Sequence, residues 1–419
     1  MKECYVFSND KTLCSGCGSC AISCRHNALK MIEDEEGFLY PVLDKNKCVN
    51  CGLCNKICPE LSPKENKSSE RCILATTTHR EYSNNSATIG VCTMLAKHII
   101  DQKGVVCGAW LDEETWTVKH ILIADTNSIE KIRNSKYAQS ELGDVFQRIK
   151  EHLLTGDKVL FTGTPCQVAG LKSFLRKDYE NLYTIDLVCH GVYSKLLLRK
   201  EIAFWQDKLS LKISMFKFRS KRIYYWADGG VINFDYKDKR GHIKHFECHG
   251  SASPIYRCYA YSTNGINYNL RPSCYTCHFR GENRYGDITI GDSWMVKMNS
   301  WRERMFIDEK NGTSLISINT EKGREMIHNI DSLLKIRNIE RKNAFCQPAL
   351  KESNRPIPQE RSEIYDSIHN ERNIGNIVEG LFGIDLEKTL LSYNIYVKKQ
   401  HFIRNIKSLL SNKIGQFDL

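Results

Sequence analysis

Long apolar runs are absent from this 419-residue sequence. No stretch approaches the roughly eighteen consecutive apolar residues of a membrane-spanning helix, and the first fourteen residues contain no apolar signal segment. We therefore expect no transmembrane segment and a cytoplasmic, reducing location. A GxGxxG turn after a strand is also missing, so no dinucleotide site of the Rossmann kind is predicted. Apolar residues nonetheless make up 41% of the chain, which excludes a wholly disordered protein.

Cysteine, by contrast, is abundant and unevenly distributed. The chain has 19 cysteines, and nine of them fall within the first 58 residues. In a reducing compartment, metal or cluster ligation explains them better than disulfides do. The spacing C-x2-C-x2-C-x3-C occurs twice, at Cys14, Cys17, Cys20 and Cys24 and again at Cys48, Cys51, Cys54 and Cys58. This is the spacing of bacterial ferredoxins that hold two four-iron clusters.

In this pattern the fourth cysteine of each run binds the other cluster. We therefore assign Cys14, Cys17, Cys20 and Cys58 to cluster one, and Cys48, Cys51, Cys54 and Cys24 to cluster two. A pair of zinc sites is the alternative, but zinc takes its four ligands from two separated pairs and not from interleaved runs. Cys4 lies outside the pattern and is expected to be a bystander. Residues 28–43, between the two runs, predict a β-hairpin that covers the clusters.

Length and charge set the class of protein. At about 150 residues per domain, the chain corresponds to two or three domains. Lysine and arginine outnumber aspartate and glutamate by 60 to 49, a formal net charge of +11, which three thiolate-bound clusters would lower to about +5. This moderate positive charge suits an acidic electron donor or an anionic cofactor. Because no RNA-recognition motif is present, we expect no nucleic-acid partner.

After a polar linker at residues 62–71, the pattern changes to alternating strands and helices. Strands are predicted at 72–76, 104–110, 159–161 and 183–188, with one helix over 88–100 capped near Ser86 and another from Pro165. Because the last two strands should be parallel, Cys166 and Cys189 should share the carboxyl edge of one sheet, where α/β proteins bind ligands. A CxxC pair follows at residues 274–277. Spacing alone leaves open a third four-iron cluster and a pair of buried thiols beside a structural loop.

Two later segments are less specific. Residues 211–249 alternate enough for two hairpins, and their basic side chains either form a solvated sheet face or receive an anionic substrate; these are Lys217, Arg219, Lys221 and Arg222. The tail has a helical apolar stripe, which favours packing or a homo-oligomer contact over membrane association; it comprises Ile374, Ile377, Val378, Leu381 and Phe382.

The motifs together resemble a known family. NSKYAQS, VLFTGTPCQVAGLKSFL, IDLVCHGV and RPSCYTCHFRGENRYGDITIGDSW, in this order behind a dicluster ferredoxin, resemble the coenzyme F-420 hydrogenase/dehydrogenase beta-subunit family. The resemblance covers roughly residues 1 to 350. It implies an iron–sulfur flavoprotein that binds FAD in an α/β domain without a Rossmann fold. It also implies a third four-iron cluster, with ligands Cys166, Cys189, Cys274 and Cys277.

The resemblance further implies which residues hold FAD, and it does so in three segments. They are Ser86, Thr88 and Gly90; Ser135, Lys136, Tyr137 and Ser140; and Thr162, Gly163, Thr164 and Gln167. Relatives commonly have two glycines where this chain has Ile89-Gly90, and a β-branched side chain at residue 89 would crowd the flavin. Asp287, Asp292 and Trp294 match the family's terminal motif with no role assigned. His190 is either a proton donor or a satisfied structural histidine, so no catalytic residue is identified.

The expected architecture is an α+β ferredoxin domain (1–61), a linker (62–71), an α/β domain for FAD and a 4Fe-4S cluster (72–345) with β-hairpin insertions, and a helical extension (346–419). We expect an oxidoreductase that moves electrons between clusters and FAD to reduce or oxidise a small organic substrate, of anionic character, with ferredoxin or another protein as electron donor. Some members are associated with surface-polysaccharide synthesis. The alternative is a non-catalytic subunit that relays electrons to a partner enzyme.

Overall fold

The structure is a computed structural model that describes residues 3–61, 71–238, 240–260, 266–351, 353–370 and 373–414. The predicted linker, residues 62–71, lies outside the described residues except for Arg71. The strands are β1 Leu29–Glu33, β2 Leu39–Leu43, β3 Arg71–Thr76, β4 Val105–Asp112, β5 Thr117–Ile123, β6 Val159–Gly163, β7 Leu182–Leu187, β8 Ile213–Lys217, β9 Val231–Lys237, β10 Ile243–His249, β11 Ile288–Asp292, β12 Ser314–Ile318 and β13 Lys335–Ile339.

The helices vary from single turns to a long C-terminal helix. They are α1 Tyr5–Ser8, α2 Ser19–Ser23, α3 Leu53–Lys56, α4 Arg80–Ser83, α5 Val91–Asp101, α6 Ile129–Ile132, α7 Val145–Thr155, α8 Pro165–Leu175, α9 Lys195–Leu209, α10 Pro254–Ala260, α11 Trp301–Met305, α12 Glu321–His328, α13 Arg341–Ala344, α14 Gln359–Asn370, α15 Ile374–Phe382 and α16 Leu386–Ile414. No helix in the described part of the chain has the length and apolar character needed to cross a membrane.

The N-terminal module has the predicted hairpin. β1 and β2 pair antiparallel, with Leu29 opposite Leu43 at the base and Glu33 opposite Leu39 at the tip. The two cysteine runs lead into the short helices α2 and α3, each preceded by a glycine in the left-handed region, Gly18 (φ 72°) and Gly52 (φ 68°). Glycine is required at such a turn because a side chain is strained there.

A large mixed sheet forms the centre of the body. Its strand order is β13-β3-β12-β11-β7-β6-β4-β5. Strands β11, β7, β6 and β4 are mutually parallel, so the predicted parallel pairing of β6 with β7 across α8 is confirmed. The carboxyl ends of these four strands therefore meet at one edge of the sheet, called here the carboxyl edge.

The predicted start of α5 is wrong by three residues. The helix begins at Val91, after Gly90, and not near residue 88 with a cap at Ser86. The Ser86 hydroxyl instead donates to the Tyr82 carbonyl oxygen at 2.7 Å. Gly90 has φ 85°, and a Cβ there would approach the Tyr82 oxygen to 2.4 Å, so the chain turns sharply before the helix can begin.

Residues 211–249 form one antiparallel sheet, β8-β9-β10, in which the two predicted hairpins share strand β9. The segment between β8 and β9, residues 218–230, does not pair as a strand and runs to the carboxyl edge instead. The C-terminal helices α14 and α15 pack on the body as the apolar stripe predicts: Ile374, Ile377 and Val378 are buried in the same core cluster as Trp205 of α9.

Candidate functional site

The thiols of cluster one face the body of the protein. Burial, followed by the neighbouring thiols Cys17 and Cys14, raises the pKa of Cys20 well above its usual range, and burial raises the pKa of Cys17 to about 11. Sulfurs held this close together in a buried environment cannot all ionise without a compensating cation. Iron supplies that charge when a cluster binds.

The cysteines of cluster two lie farther from the body. Cys51 is exposed, and Cys48 and Cys54 are half-buried. Cys24, the fourth predicted ligand, has its sulfur 3.4 Å from the backbone N–H of Ala28. The two ends of the module therefore differ in their access to solvent.

Cys4 is closer to the clusters than a bystander should be. It is 2% exposed, and its thiol hydrogen-bonds with Cys54 of one predicted set and Cys58 of the other. Its backbone N–H donates to Asn55 Oδ1 at 2.8 Å. The position of Cys4 in the sequence does not indicate this contact, because it forms where the segment before α1 meets Asn55 of α3.

Four cysteines far apart in the sequence meet at the carboxyl edge. Cys166 lies in the first turn of α8, after β6, and Cys189 follows β7, while Cys274 and Cys277 come from the loop before β11. Burial and then the Cys277 thiol raise the pKa of Cys166 well above its usual value. Burial, Cys189 and Cys166 raise that of Cys274 to about 12. We call these four residues the rim cysteines.

The number of thiols at the rim matches the ligands that a four-iron cluster takes from a protein. Such a cluster binds one thiolate at each of its four irons. The described residues contain no group of three histidine, cysteine, aspartate or glutamate side chains arranged around a single metal ion.

Helix α8 connects a thiol of cluster one with a rim cysteine along one face, because Cys166 and Gly170 are four residues apart. Gly170 of that helix lies against Cys17, and the Ser19 hydroxyl donates to the Gly170 carbonyl oxygen at 2.8 Å. Cys166 is four residues, or about 6 Å, from Gly170 along the same helix. One helix therefore contacts a predicted ligand of cluster one and carries a predicted ligand at the rim.

A buried carboxylate lies in the same region. Glu60 has a side chain that is 7% exposed, and its oxygen is 3.3 Å from His278 Nε2. Burial raises the pKa of Glu60, although His278 acts in the opposite direction. The charge of Glu60 also raises the pKa of Cys17 and of Cys166, so this group lies near both sets of thiols.

Arg271, three residues before Cys274, connects the module to the rim loop. Its side chain is fully buried, its Nε donates to the Cys14 carbonyl oxygen at 2.7 Å, and its Nη2 is 3.6 Å from the Cys14 sulfur. The guanidinium stacks over the Tyr40 ring at 4.0 Å from the centroid. Its backbone N–H donates to the Val192 carbonyl oxygen. Sequence reasoning missed this residue because its contacts span up to 257 positions.

The segments expected to hold FAD gather at the carboxyl edge. Thr162, Gly163 and Thr164 lie at the end of β6, and Thr164 caps α8 in a capping box with Gln167. Gln167 Nε2 also donates to the Ser140 hydroxyl at 2.9 Å, which joins the second and third segments. Ser86, Thr88 and Gly90 form the loop before α5.

Lys136 and Tyr137 have distinct environments within this group, with Ser135 just before them. The Lys136 ammonium donates to the Arg133 carbonyl oxygen at 2.6 Å, and burial lowers its pKa to about 7. The Tyr137 ring packs against Tyr259 at 5.1 Å between centroids. The backbone N–H of Ser135 donates to Asn134 Oδ1 at 2.7 Å. These contacts fix the backbone of the NSKYAQS turn.

Asp292 is the centre of a buried polar cluster at the end of β11. Burial would raise its pKa, but Arg219 at 2.9 Å, Thr88 and Trp226 hold the pKa below its usual value. Arg219 is 2% exposed and stacks on Trp294 at 4.6 Å, and its buried Nε has no hydrogen-bond partner. Lys221 donates to the Asn311 carbonyl oxygen at 2.6 Å, and burial lowers its pKa to about 7.

Of the other predicted residues, some lie at the carboxyl edge and some stabilise the sheet that forms it. Asp287 is structural, because its carboxylate accepts from the Thr184 N–H at 2.8 Å and from the Thr184 hydroxyl at 2.6 Å. His190 follows Cys189 at the carboxyl edge, where its side chain is exposed. Lys217 and Arg222 flank the segment that carries Arg219 and Lys221 to Asp292.

Two family models match the chain. One describes the C terminus of the coenzyme F420 hydrogenase/dehydrogenase beta subunit and matches residues 156–342, and the other, a 4Fe-4S dicluster domain, matches residues 13–61. The first contains all four rim cysteines and the second contains both cysteine runs.

Known proteins show more distant similarity. A coenzyme F420-dependent sulfite reductase of Methanocaldococcus jannaschii is 24% identical over 192 residues, which is 45% of this chain and 29% of that protein. This chain therefore matches less than a third of its curated relative. Among solved structures, a xenon-derivatised F420-reducing NiFe hydrogenase complex from Methanosarcina barkeri is 19% identical. That match covers 66% of this chain and 84% of the other, with a TM-score of 0.42.

Proposed function

We propose that this chain, which joins a 4Fe-4S dicluster domain to a C-terminal domain of the coenzyme F420 hydrogenase/dehydrogenase beta-subunit family, is an iron–sulfur flavoprotein oxidoreductase. The family resemblance predicted from the motifs is confirmed, as are the iron–sulfur character and the electron-transfer class. The third cluster, FAD and the substrate class are our proposals.

One observation carries the proposal: four half-buried cysteines from three separate segments converge at the carboxyl edge of the sheet, close enough for neighbouring thiols to raise one another's pKa. Four thiolates this close together repel one another, so they form together only when a positive group binds them. One of them, Cys166, also lies about one helical turn from Gly170, which is in contact with Cys17. This placement supports a third four-iron cluster next to cluster one.

The candidate FAD residues support a flavin beside the rim. The polar segments at the ends of β6 and α6 border Cys166, and the buried Nδ1 of His120, next to Thr162, has no hydrogen-bond partner. A bound flavin would couple the one-electron chemistry of clusters to the two-electron chemistry of an organic substrate. The protein's part is to hold positive charge nearby, through Lys136 below about pH 7, and to keep the Thr162–Thr164 backbone rigid.

The cluster around Asp292 supports an anionic organic substrate. Arg219 and Lys221 bring two cationic groups to the edge, and Trp294, with a ring that is 41% exposed, provides a flat apolar surface beside them. An anionic sugar derivative of surface-polysaccharide synthesis matches both features, and a deazaflavin also presents an anionic chain and a flat ring. Overall, two electrons from a one-electron carrier and two protons from solvent would reduce one substrate molecule.

Anaerobic purification tests the cofactors. The holoprotein should contain flavin and about twelve irons per chain, whereas a colourless zinc protein would overturn the proposal. Chemical reductant is then supplied with sugar-derivative and deazaflavin acceptors. Turnover by the isolated chain supports an enzyme. Flavin and iron without turnover would instead support the relay subunit, an alternative that the match to under a third of the sulfite reductase favours.

A further inference from the structure

Two of the four acidic residues at the hairpin tip hold the N-terminal module on the body: Glu36 pairs with Arg361 at 2.6 Å and Glu33 pairs with Lys195 at 2.7 Å. The other two, Asp34 and Glu35, pair with Lys11 within the module. At the base of the hairpin, Asp44 follows β2, and its N–H donates to the Ala28 oxygen at 2.8 Å. The base therefore leads directly into the loop of cluster two.

That loop carries exposed basic residues around an exposed apolar centre. Val49 is 57% exposed and lies beside exposed Cys51. Four exposed cations lie within three residues of the predicted cluster-two ligands Cys24, Cys48 and Cys54; they are Arg25, Lys45, Lys47 and Lys56, and with Val49 and Cys51 we call them the cluster-two face. Two acidic residues also lie in this region, Asp44, which is paired with Lys47 at 3.4 Å, and exposed Glu3.

Two of the four predicted ligands of cluster one are covered by the body. Cys17 is 8% exposed and lies against Gly170, and Cys14 lies against Arg271. Among the described residues, the exposed Cys51 of cluster two is therefore more accessible to an outside electron carrier than Cys14 and Cys17 are. The ion pairs of Glu33 and Glu36 help to fix this orientation.

Resting on the proposed function, we infer that the cluster-two face docks a small acidic electron-carrier protein. A basic rim around an apolar centre attracts a negatively charged partner over long range and leaves a small, transient contact, as redox encounters require. The reduced carrier gives one electron to the holoprotein at each encounter, and two encounters supply the pair needed for one substrate molecule.

The test is stopped-flow reduction of the anaerobic, full-length holoprotein by a reduced acidic ferredoxin. The triple variant Lys45→Glu, Lys47→Glu, Lys56→Glu should lower the second-order rate constant at least tenfold at low salt. At about 1 M salt, where the Debye length is about 3 Å, the difference should vanish. The matched control is Lys388→Glu, Lys398→Glu, Lys399→Glu on α16, which changes the same net charge far from the module and should keep the wild-type rate.

Two further electron donors distinguish a failure of the docking proposal from a failure of the proposed function. Dithionite should reduce both variants to the wild-type extent, and cationic reduced methyl viologen should react faster with the triple variant. A salt-independent wild-type rate, or equal slowing in the control, would overturn the docking face while leaving the proposed function intact. If the triple variant loses iron, the single Lys45→Glu variant and the wild-type salt series decide the question. A holoprotein without clusters would overturn both proposals.

Discussion

The contact between module and body predicts the effect of adding one methyl group. In Gly170→Ala, the new Cβ would lie 2.8 Å from the Cys17 Cβ, 2.9 Å from the Ser19 hydroxyl and 3.2 Å from the Cys17 sulfur. Carbon atoms pack at about 3.5–4.0 Å, so the module must move by about 1 Å. The atoms in the way belong to a predicted cluster ligand and a short side chain, and neither can swing aside.

Two opposing contributions set the change in the free energy of unfolding of Gly170→Ala. Replacing glycine by alanine inside a helix stabilises it by about 1 kcal/mol. Overpacking a tight contact costs about 1–3 kcal/mol. Gly380→Ala is the matched control, because Gly380 lies in helix α15 and an added Cβ meets nothing within 4 Å. The helix term is common to both variants, so the difference between them measures the clash alone, about 1–3 kcal/mol.

The assay is anaerobic denaturant unfolding of both holoprotein variants, followed by stopped-flow electron transfer from the module to the body. Gly380→Ala should raise the free energy of unfolding and leave the electron-transfer rate unchanged. Gly170→Ala should show a lower free energy of unfolding than the control and slower transfer. If the two variants are equally stabilised, with identical rates, α8 does not set the distance between the two sets of thiols.

Three other predictions test separate contacts. Cys189→Ser should lose about four of twelve irons, whereas the buried Cys258→Ser should lose none; equal iron in both would contradict the rim cluster. Arg271→Gln should lower the reduction potential of cluster one, measured by redox titration followed by electron paramagnetic resonance, because the nearby cation favours the reduced cluster. Arg271→Lys should restore part of the reduction potential. An unchanged potential in both variants would refute the effect of the Arg271 charge on cluster one. Arg284→Met should cost about 3–5 kcal/mol in denaturant unfolding, because it leaves buried Asp186 without its 3.0 Å partner, and a cost below about 1 kcal/mol would contradict this.

Much of the fold could be predicted where the signal is local. The β1–β2 hairpin, the parallel β6–β7 pair and the helix beginning at Pro165 follow from runs of fewer than thirty residues. The predicted start of α5 was wrong because serine is a common N-cap residue. In the structure, the Ser86 hydroxyl instead donates to the Tyr82 carbonyl oxygen. The residue that decides the turn is Gly90, which must reach φ 85°.

The residues of the candidate site also differ in whether a local sequence pattern indicates them. The spacing predicts the eight cysteines of the module as cluster ligands, and the family resemblance adds the four at the rim. Arg271, Glu60 and the partner of Arg219 could not be predicted, since each acts on a group more than 70 positions away. The basic run at 217–222 was noted, but nothing local indicates that Arg219 meets Asp292 beneath Trp294.

The sequence by itself predicts the cluster ligands of the module. One four-iron cluster needs several thiolates within a few residues of backbone, and that spacing can be read along the chain. Only the tertiary structure decided which cluster faces inward. Ion pairs at the hairpin tip and the close approach at Gly170 orient the module, and these contacts join residues brought together by packing alone. Charge and shape complementarity between two folded surfaces has no period or spacing that a sequence displays.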